Sequence, residues 1–168
     1  MADDVILNKA ASIERCLRRV EEEHADNEQN LVGNQSKQDA IVLNLQRACE
    51  TAIDLAMYVV SPRKLGVPQD SRDAFILLQT AGILPADLAT RMQKMVGFRD
   101  VHEYTRLNLK IIHSIITKQL DDFRTFSDDR EDLRLTVTSE NRSSSRANQK
   151  HRSSAFNILL PSDDSLAH

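Results

Sequence analysis

The run Arg99-Asp100-Val101-His102-Glu103-Tyr104 places an arginine, a histidine and a tyrosine within six residues. Arginine is a permanent, forked donor suited to a phosphate. Histidine moves protons near neutral pH, and tyrosine carries a hydroxyl that can hydrogen-bond or act as a nucleophile. Phosphate binding and proton transfer are the two requirements of RNA cleavage, with Asp100 in a position to support either group. The residues alone leave a plainer account open. Arg99 and His102 can be solvated side chains at a helix end, where cations suit the negative pole of the dipole.

Two other groups invite a chemical reading. Glu21-x-x-His24 has the spacing used by carboxylate-bridged di-metal bundles, which need two such pairs and two further glutamates in one core. A second pair is missing, so Glu21, Glu22, Glu23 and His24 read as a solvated, frayed helix end and no metal site is expected. His113 falls between apolar positions and reads as a core or boundary histidine. No phosphate-cradling glycine loop, nucleophile elbow or cysteine-rich zinc pattern occurs. Nucleotide-binding machinery must therefore belong to a partner.

The elements that would position these groups are helical. Ile6, Ala10, Ile13, Leu17 and Val20 recur at steps of four and three, one apolar stripe on a helix over residues 4–24. The polar stretch with Asn27, Asn30, Gly33 and Asn34 reads as a loop. A second helix begins near Ser36 and carries two stripes: Val42, Leu45, Cys49, Ala52, Ala56 and Val59, with Ile41, Ala48 and Leu55 beside them. Such a width predicts a central helix, and Ser61-Pro62 stops it. Beyond Gly66 and Pro68, Asp70 or Ser71 caps a short helix that carries Phe75 and Leu78 and ends at Gly82. Pro85 opens a fourth helix with Leu88, Met92 and Met95, running to Gly97, where glycine permits a bend before the cluster. A fifth helix over 107–126 presents Leu109, Ile112, Ile116, Leu120 and Phe123, widened by Ile111 and Ile115.

These segments predict an all-α fold, an antiparallel bundle of about five helices over residues 1–126. Four glycines, four prolines and no tryptophan, with 40% hydrophobic and 28% charged residues in a chain of 168, fit one soluble domain with a real core. A net charge of -3 argues against holding nucleic acid by bulk electrostatics, so any RNA contact should be local. Cys16 and Cys49 lie on apolar faces and read as buried thiols of a cytoplasmic protein rather than a disulfide. No apolar run reaches the roughly 20 residues of a membrane span. From Ser127 the helical pattern collapses. Ser139 to Ala155 holds no apolar residue beyond two alanines, and Phe156-Asn157-Ile158-Leu159-Leu160 is an isolated apolar patch. Residues 127–168 therefore read as a disordered or appended tail.

Three ordered segments carry a family resemblance. Asn44-Leu45-Gln46-Arg47-Ala48-Cys49-Glu50-Thr51-Ala52-Ile53-Asp54, then Gly66-Val67-Pro68 with Ser71-Arg72-Asp73-Ala74-Phe75, then Met95-Val96-Gly97-Phe98-Arg99 together resemble the HepT toxins of the HEPN superfamily, the ribonuclease half of HEPN–MNT toxin–antitoxin modules. The similarity spans about residues 4–126. It implies a helical bundle that forms a homodimer and cleaves RNA in a groove shared by both subunits, without metal or other cofactor. By the same resemblance Arg99 holds the scissile phosphate and His102 moves protons during attack of the ribose 2′-hydroxyl. Tyr104 is then the hydroxyl that an MNT-type nucleotidyltransferase antitoxin adenylylates, placing bulk and negative charge in a phosphate-binding groove.

One feature departs from the family. Its motif sets four to six residues between arginine and histidine, whereas Asp100 and Val101 alone separate Arg99 from His102. On a continuous helix, two fewer residues turn everything downstream by about 200° and shorten the rise by about 3 Å. The intact stripe that follows predicts a persistent fold with a tightened junction and impaired catalysis. The alternative reading is a non-catalytic helical module that engages a nucleotidyltransferase, with Tyr104 as acceptor. A metalloprotein built on Glu21 and His24 is the third and weakest option.

Overall fold

The widest apolar face in the sequence belongs to the longest helix. Residues Gln35–Val60 form α3 in a computed structural model that describes residues 2–99 and 108–128, and every member of both stripes is buried. A helix apolar over so broad an arc needs cover from several sides. It is packed by α1 (Ala2–His24), α2 (Glu28–Val32), α4 (Ser71–Thr80), α5 (Ala86–Arg99) and α7 (Leu120–Asp128), while α6 (Leu109–Lys118) lies against α2 and α7. All the described secondary structure is helical, as expected for an all-α bundle.

The pairing of α1 with α3 follows directly from the stripe on α1. Ile6, Ile13, Leu17 and Val20 are completely buried, each contributing about 1.5–3 kcal/mol relative to exposure. Lys9, early in α1, reaches Asp54, late in α3, at 3.3 Å, which marks the antiparallel register. The helix starts and stops are local. Asn34 caps α3 by accepting from Lys37 N at 3.1 Å, and α3 ends at Val60 just before Ser61-Pro62. Asp70 caps α4 by accepting from the amides of Arg72 and Asp73 at 2.7 and 3.0 Å. Gly82, with φ +73, lets the chain leave α4 in a left-handed conformation.

Several expectations are corrected. The stretch read as a loop between Asn27 and Asn34 contains α2, capped by the Asn27 side chain and anchored by the buried Leu31. The fifth helix over 107–126 is two helices that begin at Leu109 and part at Gln119. No proline or glycine lies at the break. Packing divides the segment instead, because α6 covers α2 whereas α7 packs on α1, α3 and α5. As a result Ile112 and Ile115 point inward, while Ile111 stays 55% exposed. The last helix also passes residue 126: Ser127 is buried, and its Oγ donates to Arg124 O at 3.1 Å. Gly97 does not end its helix; it lies inside α5, which continues to Arg99.

Cys16 and Cys49 are both free and buried. Burial raises both thiols, Cys49 up to about 12, so neither is a nucleophile at neutral pH. Among the described residues, no helix is long and apolar enough to cross a membrane.

Candidate active site

Arg99 is the last residue of α5 and exposed. The buried Met92, Met95, Val96 and Phe98 hold that helix to the core, so the backbone carrying Arg99 is fixed by packing while its side chain projects outward. The Arg99 guanidinium donates from Nη1 to Ser71 Oγ at 3.0 Å. Ser71 opens α4, and its neighbour Arg72 lies alongside α5. A Cβ added at Gly97 would sit 3.7 Å from Arg72 Nη2. Both guanidinium groups thus lie where the start of α4 packs on the end of α5, and no described carboxylate forms an ion pair with either.

The other expected members of the cluster, Asp100, His102 and Tyr104, lie outside the described residues. Chemistry at this corner can therefore be built from Arg99, Ser71, Arg72 and the surfaces that flank them. Along the last turns of α5, α5 and α6 border a cavity of about 460 Å³. Met95, Phe98, Ile111 and Ile115 give it apolar walls, and the exposed Lys94 and Lys110 add positive charge. Such a surface suits a ligand with apolar faces and an anionic edge. Sequence inspection did not single out Ser71, Arg72, Lys94 or Lys110 as site residues. For the first two a signal was present, since Ser71-Arg72-Asp73 belongs to one of the segments carrying the family resemblance.

The acidic end of α1 departs from its expected solvated state. Glu21 is exposed and accepts from Arg124 Nη2 at 2.9 Å, but His24 is only 5% exposed and its ring lies 5.9 Å from that of His113. Burial holds the His24 imidazole below its ordinary value, and the His113 charge adds to that effect; Asp26 and Glu28 oppose it. His113 is half-buried, a boundary residue as its position between apolar neighbours suggested. Among the described residues, no three histidine, cysteine, aspartate or glutamate side chains converge in a way that could hold a metal ion. The Glu21 and His24 spacing is thus spent on an ion pair to α7 and a ring contact to α6.

Comparison with known proteins bears directly on this corner. The chain is 40% identical over 128 residues to the mRNA nuclease HepT of Shewanella oneidensis, an alignment covering 75% of this chain and 96% of that protein. Among solved structures, it resembles a chain of a toxin–antitoxin complex with AMP-PNP at 38% identity and a TM-score of 0.73, over 76% of this chain and 98% of the other. A second match is a chain of a complex in which a tri-AMPylated HEPN toxin of Shewanella oneidensis is bound to its MNT antitoxin. There the identity is 39% and the TM-score 0.71, over 76% of this chain and 97% of the other. The family model described as ribonuclease HepT-like matches residues 13–129, a span that runs through α7 and includes the Arg99 corner. This chain belongs to the ribonuclease HepT-like family.

Proposed function

We infer that this protein is the ribonuclease toxin of a toxin–antitoxin pair, an endoribonuclease held in check by an MNT-type nucleotidyltransferase. The observation that carries this reading is 40% identity across nearly the whole length of an mRNA nuclease, together with a matching fold in toxin chains bound to antitoxin. The exposed guanidinium of Arg99 on a rigid helix end agrees with it.

In the chemistry proposed here, Arg99 binds the scissile phosphate and offsets charge as it builds on the phosphoryl oxygens. His102 takes the proton from the ribose 2′-hydroxyl, whose oxygen attacks the adjacent phosphorus. The bond from phosphorus to the 5′-oxygen breaks, and the leaving oxygen takes up a proton. Asp100 supports this pair. The groove is completed by a second copy of the chain, and no metal or cofactor takes part. Tyr104 is the regulatory hydroxyl: its oxygen attacks the α-phosphorus of ATP on the nucleotidyltransferase, releasing pyrophosphate and leaving an AMP ester. That ester brings a negative charge beside Arg99 and competes with RNA. We place the working unit in the cytosol, consistent with two buried free thiols. The helical part through α7 forms that unit, and in this reading the tail expected from residue 127 begins only after Asp128.

A second reading is favoured by one specific observation, the two-residue spacing between Arg99 and His102. Under it the chain folds and engages the nucleotidyltransferase through Tyr104 but does not cut. Cleavage of intact RNA by the purified chain in EDTA, beside His102→Ala and a form with two residues inserted after Asp100, separates the two. Cutting by the unaltered chain that His102→Ala abolishes supports the enzyme. Cutting by the lengthened form alone identifies a folded but disarmed toxin, and silence in both with intact partner binding supports the module.

A further inference from the structure

Two of the three segments that carry the family resemblance lie 20 or more residues apart in sequence, yet they touch in space. The contact between Ser71-Arg72 and Gly97-Phe98-Arg99 is made by side chains with an evident use. Arg99 Nη1 donates to Ser71 Oγ at 3.0 Å, and Arg72 Nη2 lies close against Gly97 on the same helix end. Resting on the reading of Arg99 as the phosphate-binding group, we propose that the first turn of α4 is part of the RNA site. Ser71 is a positioning residue that holds the Arg99 guanidinium, and Arg72 is a second phosphate ligand that binds an RNA phosphate next to the scissile one.

The argument is electrostatic and conformational. A free arginine side chain samples many rotamers, and each one fixed before binding is entropy not lost when the phosphate arrives. A neutral hydroxyl can fix a guanidinium at one donor while leaving its charge and remaining donors for the ligand; a carboxylate in the same place would neutralise it. Carboxylates are near at hand, but they face the backbone. Asp70 accepts from the amides of Arg72 and Asp73, and Asp73 accepts from Gln69 N at 2.8 Å. Two amides at the start of α4 are thus already taken by Asp70, so the positive charge available to an anion at this corner resides in the two guanidinium groups. With a net charge of -3 on the chain, a local pair of this kind is the form that phosphate attraction has to take.

The test measures binding of a short, mixed-sequence 2′-O-methyl oligoribonucleotide, which lacks the attacking hydroxyl and so reports on the site whether or not the chain cuts. The full-length protein is titrated at several salt concentrations as wild type, Arg72→Ala, Arg72→Lys, Ser71→Ala, Ser71→Thr and Arg99→Ala, each shown to melt as wild type does. Arg72→Ala is expected to weaken binding about 5- to 20-fold and to lower the slope of log affinity against log salt by about 0.7, the value for one single-strand phosphate contact. Arg72→Lys should keep the slope. Ser71→Ala should weaken binding severalfold without changing the slope, and Ser71→Thr should restore it. Unchanged affinity and slope in Arg72→Ala and Ser71→Ala, with Arg99→Ala weakened, overturns this inference alone. Unchanged binding in Arg99→Ala overturns the assignment of Arg99 as well, and absence of measurable binding by the wild-type protein overturns both.

Discussion

His24 and His113 face each other across the contact between the end of α1 and α6, with ring centroids 5.9 Å apart and ring planes inclined by 59°. His24 is buried, and its Nε2 atom has no hydrogen-bond partner among the described residues. Protonating it in the native state is opposed first by burial and then by the charge of His113, with Asp26 and Glu28 pulling in the other direction.

That arrangement predicts an acid-sensitive fold. Because the folded pKa of His24 lies below the ordinary 6.5, the unfolded chain takes up the proton first as pH falls. Its effect is absent well above pH 6.5, and stability declines as pH drops through 6.5 toward the folded value. Thermal melts at about pH 7.5 and about pH 5.5 should therefore differ more for wild type than for His24→Gln. Equal pH dependence in the two proteins would rule out His24 as the source.

The second prediction concerns the last helix. Phe126 packs edge-on against Phe75 of α4, centroids 5.5 Å apart, and both rings are buried. Phe126→Ala should cost about 3–5 kcal/mol in urea denaturation, the range for removing a buried aromatic ring. A cost below about 1 kcal/mol would mean that α7 is not integral to the core. Removing residues 130–168, by contrast, should leave the denaturation midpoint unchanged, since the family match ends at residue 129.

Gly97 offers a stabilising change. It lies in helical conformation within α5, and an added Cβ would meet Arg72 Nη2 at 3.7 Å, an ordinary contact. Gly97→Ala should raise stability by about 0.5–1 kcal/mol through the helix preference of alanine. A lowered midpoint would show that the packing of Arg72 over this glycine is tighter than its geometry indicates.

Arg124 ties α7 to α1 by bonds to Glu14 and Glu21 at 3.2 and 2.9 Å. The partners are largely exposed, so Arg124→Ala should cost less than about 1 kcal/mol, with the difference shrinking as salt rises. A loss that is large and independent of salt would point to packing of the arginine stem instead of charge.

Much of the fold was legible because helix periodicity is local. The stripes on α1 and α3, the cap at Asp70 and the stop before Pro62 each depend on residues within a turn or two of one another. The α2 helix escaped notice because five residues are too few to show a period; its only signal was Asn27 followed four residues later by the apolar Leu31. The break at Gln119 had no local signal at all. Ile112, Ile116, Leu120 and Phe123 fit one helix as written, and only the need of α6 to cover α2 while α7 fills the space between α1, α3 and α5 divides them.

The sequence by itself determined the helical class and the family, since composition, period and motif are properties of neighbours along the chain. The tertiary structure decided what Arg99 and His24 touch. Ser71 lies 28 residues from Arg99, and His113 lies 89 from His24. Contacts across such separations are set by how the helices pack around α3, and no pattern of spacing along the chain records them.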